Sequence, residues 1–174
     1  MKNLSVFLTG FLVLFFASHS FASSVPIEVL VYHSDLNSNE CDMSLTASAE
    51  VHILKNKATL VLIPCMTGAY QTGYVAYTMD SFKNVASVTV LTWEGYLSAS
   101  NWLTEASYDP STETISTFGK SRGIGDCGQM SLNKVIVDEY GYVTVKTVQI
   151  SAQECLDNPD ENALIGNWPI VFKQ

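Results

Sequence analysis

The residues most suggestive of chemistry lie between Gly119 and Gly128, GKSRGIGDCG. Gly119 to Gly123 matches G-x-S-x-G by letter, the pattern of a serine nucleophile on a sharp strand-to-helix turn. That chemistry also needs a histidine further along the chain. No histidine follows Ser121; the three present are His19, His33 and His52. Gly123 to Gly128 matches G-x-G-x-x-G, which holds a pyrophosphate only when a helix N-terminus follows within a βαβ unit. The residues after Gly128 read as a strand. The stretch is therefore expected to be a tight loop: its glycines allow unusual backbone angles and close approach, it leads into Cys127, and Arg122 and Asp126 can pair across it.

Other candidates carry less. Asp35-Leu36-Asn37-Ser38-Asn39 begins like a calcium loop, but Glu40 and Thr46 occupy the positions that need Gly and Glu. It reads as a solvated turn. Asp157-Asn158-Pro159-Asp160-Glu161 reads as the acidic first turn of a short helix. His33 and His52 lack ligand spacing and read as ordinary strand or surface histidines. Trp93, Tyr96, Trp102 and Tyr108 fall within 16 positions. Such rings mostly enter cores, though a partly exposed set would stack on sugars or on a partner's side chains. We expect no catalytic residue, metal ligand or cofactor. The candidate binding surface is Trp93, Trp102, Arg122 and Asp126.

The compartment follows from the ends and the cysteines. Residues 1–22 carry Lys2, an apolar run from Leu4 to Ala17, and small residues at Ser20 and Ala22, the pattern of a secretory signal peptide. The run is too short for a bilayer-spanning helix, which takes roughly 20 apolar residues. Cleavage after Ala22 would leave residues 23–174 as one domain with no transmembrane segment, periplasmic or secreted. Outside the cytosol, the four cysteines Cys41, Cys65, Cys127 and Cys155 read as disulfides. Three pairings exist. Cys41–Cys65 and Cys127–Cys155 are favoured because each pair lies within one local run of strands, closing loops worth roughly 3 kcal/mol apiece on the chain-entropy model. A zinc site is disfavoured, since no C-x2-C pair occurs.

Behind these residues the chain of 174 has 47% hydrophobic and 15% charged residues, which excludes a disordered chain. Seventeen acids against nine bases give a formal charge of −8, which disfavours nucleic acid. Strand signals dominate. They cover Val25 to Tyr32, Ser44 to Leu54, Ala58 to Ile63, Gly73 to Met79, Val85 to Trp93, Thr114 to Phe118, Leu132 to Val137 and Tyr142 to Ile150. Turns are expected at Lys55-Asn56-Lys57, Asp109-Pro110-Ser111 and Asp138 to Gly141. Short helical turns are expected at Asn101 to Ala106 and Asn158 to Gly166. The fold class is all-β: an antiparallel β-sandwich or partly open barrel, disulfide-braced, with one or two short helical turns.

Leu62-Ile63-Pro64-Cys65, Gly68-Ala69-Tyr70, Arg122-Gly123-Ile124-Gly125-Asp126-Cys127-Gly128, Cys155 and Trp168-Pro169 together resemble the domain of unknown function 1176 family of exported bacterial proteins. Many members carry a longer, cysteine-bearing N-terminal portion, so this looks like a shortened version. Gln71 stands where members carry Asn, and Leu156 follows Cys155 where members carry Arg. The resemblance implies an exported, cysteine-bridged domain and implies no particular activity. The expected role is a non-catalytic binding or inhibitor module for an envelope partner, a protein or a glycan, with the acid excess favouring a basic one. The rival roles are an envelope structural or assembly factor and a cell-wall hydrolase.

Overall fold

A computed structural model of the chain describes residues 24–123, 125–155, 157 and 167–174. Two antiparallel sheets form a sandwich, with no closed barrel. The first sheet contains β1 (Glu50–Ile53), β2 (Thr59–Thr67), β3 (Thr72–Met79) and β4 (Val85–Ser87) in that order, and β7 (Trp102–Thr104) also pairs with β3. The second runs β12 (Ile170–Lys173), β11 (Val143–Gln153), β10 (Gly128–Val137), β9 (Thr114–Lys120), β8 (Ser107–Asp109). A separate hairpin joins β5 (Val90–Trp93) to β6 (Leu97–Ser100).

The run Ala58 to Ile63 explains the layering. A strand apolar at every position needs cover on both faces. Leu60 and Leu62 point one way, into the core between the sheets, where they join Ala76, Leu103, Ile115 and Val135. Val61, Ile63 and Cys65 point the other way, into a second cluster with Val29, Val75, Tyr77 and Met79. The second cover is a helix, α1 (Ile27–Asn37). Val25 to Tyr32, expected as a strand from its β-branched content, is thus largely helical. Pro26 opens the helix, Glu28 sits in its first turn and pairs with Lys83 at 2.6 Å, and packing against the sheet outweighs local preference. Of the solvated turn expected at Asp35 to Asn39, Asp35 to Asn37 close the helix with Asn37 buried, and Ser38 and Asn39 form an exposed turn.

The N-terminal layer is fastened twice. The Cys41–Cys65 disulfide ties the chain after α1 to β2. Inside, His33 is fully buried, its Nδ1 2.9 Å from the Tyr77 hydroxyl, and Asn37 Nδ2 donates to the same hydroxyl at 2.6 Å. His33 is therefore not the surface or strand residue its isolation suggested. Burial lowers its pKa and pushes that of Tyr77 up to about 12.

Elsewhere Asn101 to Ala106, expected as a helical turn, has strand β7 at its centre and no helix: Trp102 pairs with Val75 and its ring lies across Gly73, where an added Cβ would come within 2.0 Å of it. The turns at 55–57, 109–111 and 138–141 fall where expected. The helix expected at Asn158 to Gly166 and the signal peptide at 1–22 lie outside the described residues.

Candidate functional site

The ends of β9, β10 and β11 meet in a register that places Gly128 opposite Lys120 and also opposite Gln153. Gly128 takes φ +141°, and a Cβ there would lie 2.0 Å from the Gly119 carbonyl oxygen, so only glycine lets the strands approach this closely. Between them the loop from Ser121 folds back on itself. Ser121 N donates to Cys127 O at 3.0 Å and Gly125 N, at φ +74°, donates to Arg122 O at 3.0 Å. Arg122 Nε donates to Asp126 Oδ1 at 2.7 Å and Nη2 donates to Oδ2, a bidentate clasp. The clasp lowers the Asp126 pKa and raises that of Arg122. Cys127 is bonded to Cys155. Both disulfides are the pairs favoured by local spacing, and such bonds persist in oxidising compartments.

This brace borders an open cleft of about 810 Å³. Its floor is Gly119, Lys120, Gly128, Gln129 and Gln153, its rim Glu154, Cys155 and Pro169, and its far wall Trp93, Glu94 and Gly95 from the β5–β6 turn. That wall is held by polar pins. Trp93 N donates to Gln129 Oε1 at 2.8 Å and Leu91 N to Thr147 Oγ1 at 2.9 Å. Thr147 continues a buried chain across the second sheet: Thr147 Oγ1 donates to Asn133 Oδ1 (2.7 Å), and Asn133 Nδ2 donates to Ser131 Oγ (2.8 Å) and Ile115 O (3.2 Å). Every member is satisfied, the condition under which a buried polar network rigidifies a core. From the first sheet's side, Gln71 Oε1 accepts from Lys120 N at 2.9 Å.

Of the sequence-derived surface, Trp93 alone lines the cleft. Trp102 is half-buried beside Gly73. Arg122 and Asp126 pair in the loop behind the Cys127–Cys155 bridge. The sequence reading missed Gln71, Glu94, Lys120, Gln129 and Glu154, because strand ends far apart in the chain bring them together. One signal was available. Tyr70 lies against Gly123, where an added Cβ would sit 3.3 Å from its ring, and Trp168 stacks on Phe118 at 5.7 Å. Parts of the stretches that carried the family resemblance therefore meet here: Tyr70 on Gly123, Cys127 on Cys155, and Pro169 in the cleft lining.

Chemically the cleft offers an indole, side-chain amides, two exposed carboxylates (Glu94, Glu154) and one ammonium (Lys120), which also lies 5.7 Å from the Phe118 ring centre. The Gln71 and Gln129 amide oxygens are taken by backbone donors. Among the described residues no three His, Cys, Asp or Glu side chains gather as a metal site, and no helix is long and apolar enough to cross a membrane.

Comparison with curated proteins and with solved structures finds no significant match. A family model described as "Protein of unknown function (DUF1176)" matches residues 22–171, and with nearly its whole length covered the chain belongs to that family.

Proposed function

We propose that this chain is an exported, periplasmic or secreted binding module without catalysis of its own, and that the cleft beside the Cys127–Cys155 bridge receives a basic segment of an envelope protein. The observation that supports this most directly is the cleft's construction. A tryptophan is pinned through its backbone amide, and two exposed carboxylates and a single ammonium line the same cleft. A lysine or arginine side chain laid over Trp93 would gain a cation–π contact and a carboxylate partner together. The acid excess of the whole chain would draw a basic protein in and speed the encounter at low salt.

The test uses the oxidised domain immobilised against a lysozyme-type enzyme and against polylysine. Binding that weakens steeply between 20 and 500 mM salt, and is lost in Trp93→Ala and in the double variant Glu94→Gln/Glu154→Gln, is the expected result. Binding unaffected by these substitutions would remove the cleft from the proposal. Turnover of cell-wall fragments that stops in the same carboxylate variants would replace the binding role with hydrolysis.

A further inference from the structure

At the other end of the sandwich two hairpins are built alike. Asp80 Oδ1 accepts from Phe82 N (2.8 Å) and Asn84 N (2.9 Å), and Asp138 Oδ1 accepts from Tyr140 N (2.9 Å) and Tyr142 N (2.9 Å). Backbone bonds match as well: Lys83 N to Asp80 O and Gly141 N to Asp138 O, both 3.1 Å, and Asp80 N to Asn84 O and Asp138 N to Tyr142 O, both 3.0 Å. The fourth residue of each takes a positive φ, +70° at Lys83 and +88° at Gly141. Each loop thereby presents an aromatic ring at its third position.

The loops are also tied to each other. Ser81 Oγ donates to Tyr140 O at 2.9 Å, and Asn56 Nδ2, from the β1–β2 turn, donates to Asp138 O at 2.9 Å. Phe82, Tyr140 and Tyr142 are 64%, 64% and 52% exposed, with the Phe82 and Tyr142 rings 5.8 Å apart. Three exposed rings on tied, preorganised turns form a surface that is not needed to fill the core.

Charge narrows the partner. Residues 54–58, 80–84 and 138–142 hold three lysines and three acids, and Glu28 and Glu113 join them by pairing with Lys83 and Lys55. Asp80 Oδ1 and Asp138 Oδ1 accept from backbone amides, Asp80 Oδ2 accepts from Asn84 Nδ2 at 2.8 Å, and Lys83 and Lys55 pair with Glu28 and Glu113. That leaves exposed Lys57 and Glu139, one charge of each sign, beside ring faces, phenolic hydroxyls and side-chain amides. That set matches the two sides of a sugar ring, its C–H face and its hydroxyl edge. A lipid surface fits poorly, since Glu139 stands beside Tyr140 and the acid excess opposes anionic headgroups.

We propose that the Phe82–Tyr140–Tyr142 tip docks an uncharged oligosaccharide, independently of the cleft. The two surfaces lie at opposite ends of β10, from Gly128 to Val137, roughly 30 Å apart by strand rise.

The experiment titrates the oxidised domain with chitotetraose and with maltotetraose, followed by saturation-transfer NMR and calorimetry. One of the two is expected to bind with an affinity unchanged between 50 and 500 mM salt. Phe82→Ala and Tyr140→Ala should each weaken it about fivefold to tenfold, and the pair together should abolish it. Trp93→Ala should leave it intact, which separates this result from failure of the cleft. Circular dichroism confirms folding, and Phe82→Leu, which keeps bulk but loses the ring, is the milder check. No binding of either sugar at millimolar concentration overturns the proposal. So does binding that survives the double variant, a vesicle-flotation signal on phosphatidylcholine lost in that variant, or a concentration-dependent dimer that the variant disperses.

Discussion

Lowering the pH from 7.5 to 5.5 should loosen the N-terminal layer through His33. The Tyr77 hydroxyl accepts from Asn37, so its own proton needs an acceptor, and His33 Nδ1 fills that place. The imidazole proton then sits on Nε2, which is buried without a hydrogen-bond partner. A second proton would have to enter at Nδ1, where it would break the Tyr77 bond and leave a cation among apolar neighbours. Tyr77 from β3 packs edge-on against the ring, and Tyr32 from the same helix as His33 packs on Tyr77 in turn. Desolvation lowers the folded-state pKa below 6.5, while the unfolded chain titrates normally. The contribution is therefore fully present above about pH 6.5 and is lost as pH falls from there towards the folded value. The slope approaches about 1.4 kcal/mol per pH unit, so up to about 1.4 kcal/mol has gone by pH 5.5. Urea midpoints at half-unit intervals measure this. His33→Phe should be less stable at every pH, since Tyr77 loses its acceptor, yet flatter across this window. Identical slopes in the two proteins would refute the reasoning.

The remaining predictions concern the brace and the pins. Replacing both Cys127 and Cys155 by Ser should cost about 3.5 kcal/mol on the chain-entropy model, read as a fall in urea midpoint, with Trp93 more exposed to quencher. Gly128→Ala should destabilise more than Gly73→Ala, because its Cβ meets backbone whereas the other meets a side chain. Thermal melts of the two variants decide this. Asn133→Ala leaves Ser131, Thr147 and the Ile115 carbonyl short of a partner and should cost about 2–4 kcal/mol by denaturant titration. It should also free the β5–β6 hairpin, seen as faster amide exchange at Leu91.

The unbroken apolar run at Leu60 to Ile63 announced a strand covered on both faces, but nothing local said what covered the second face. The covering segment is rich in Val and Ile, so strand preference and helical outcome conflict. The conflict is resolved by burial of Val29 and His33 against Val61, Ile63 and Tyr77, contacts more than 25 residues away. The Cys127–Cys155 pairing was legible because the two flank the β10–β11 hairpin, whereas Cys41 follows a helix and reaches Cys65 of β2 because that helix packs on the first sheet. The Arg122–Asp126 clasp was legible because it is local. Trp102 misled for the opposite reason: its place is set by Gly73 in another strand, and spacing to Trp93 carried no information about it. The cleft residues come from seven separate segments, and no period or motif links them.

The β10–β11 hairpin is closed twice, by the 138–142 turn at one end and by the sulfur bridge beside Gly128 and Gln153 at the other. An ordinary hairpin unzips from its open mouth. This one has no mouth, so its amides can reach solvent only by opening from the middle or by wholesale unfolding. A reductant would create the missing mouth, and the first residues to peel away would be those that hold the tryptophan wall.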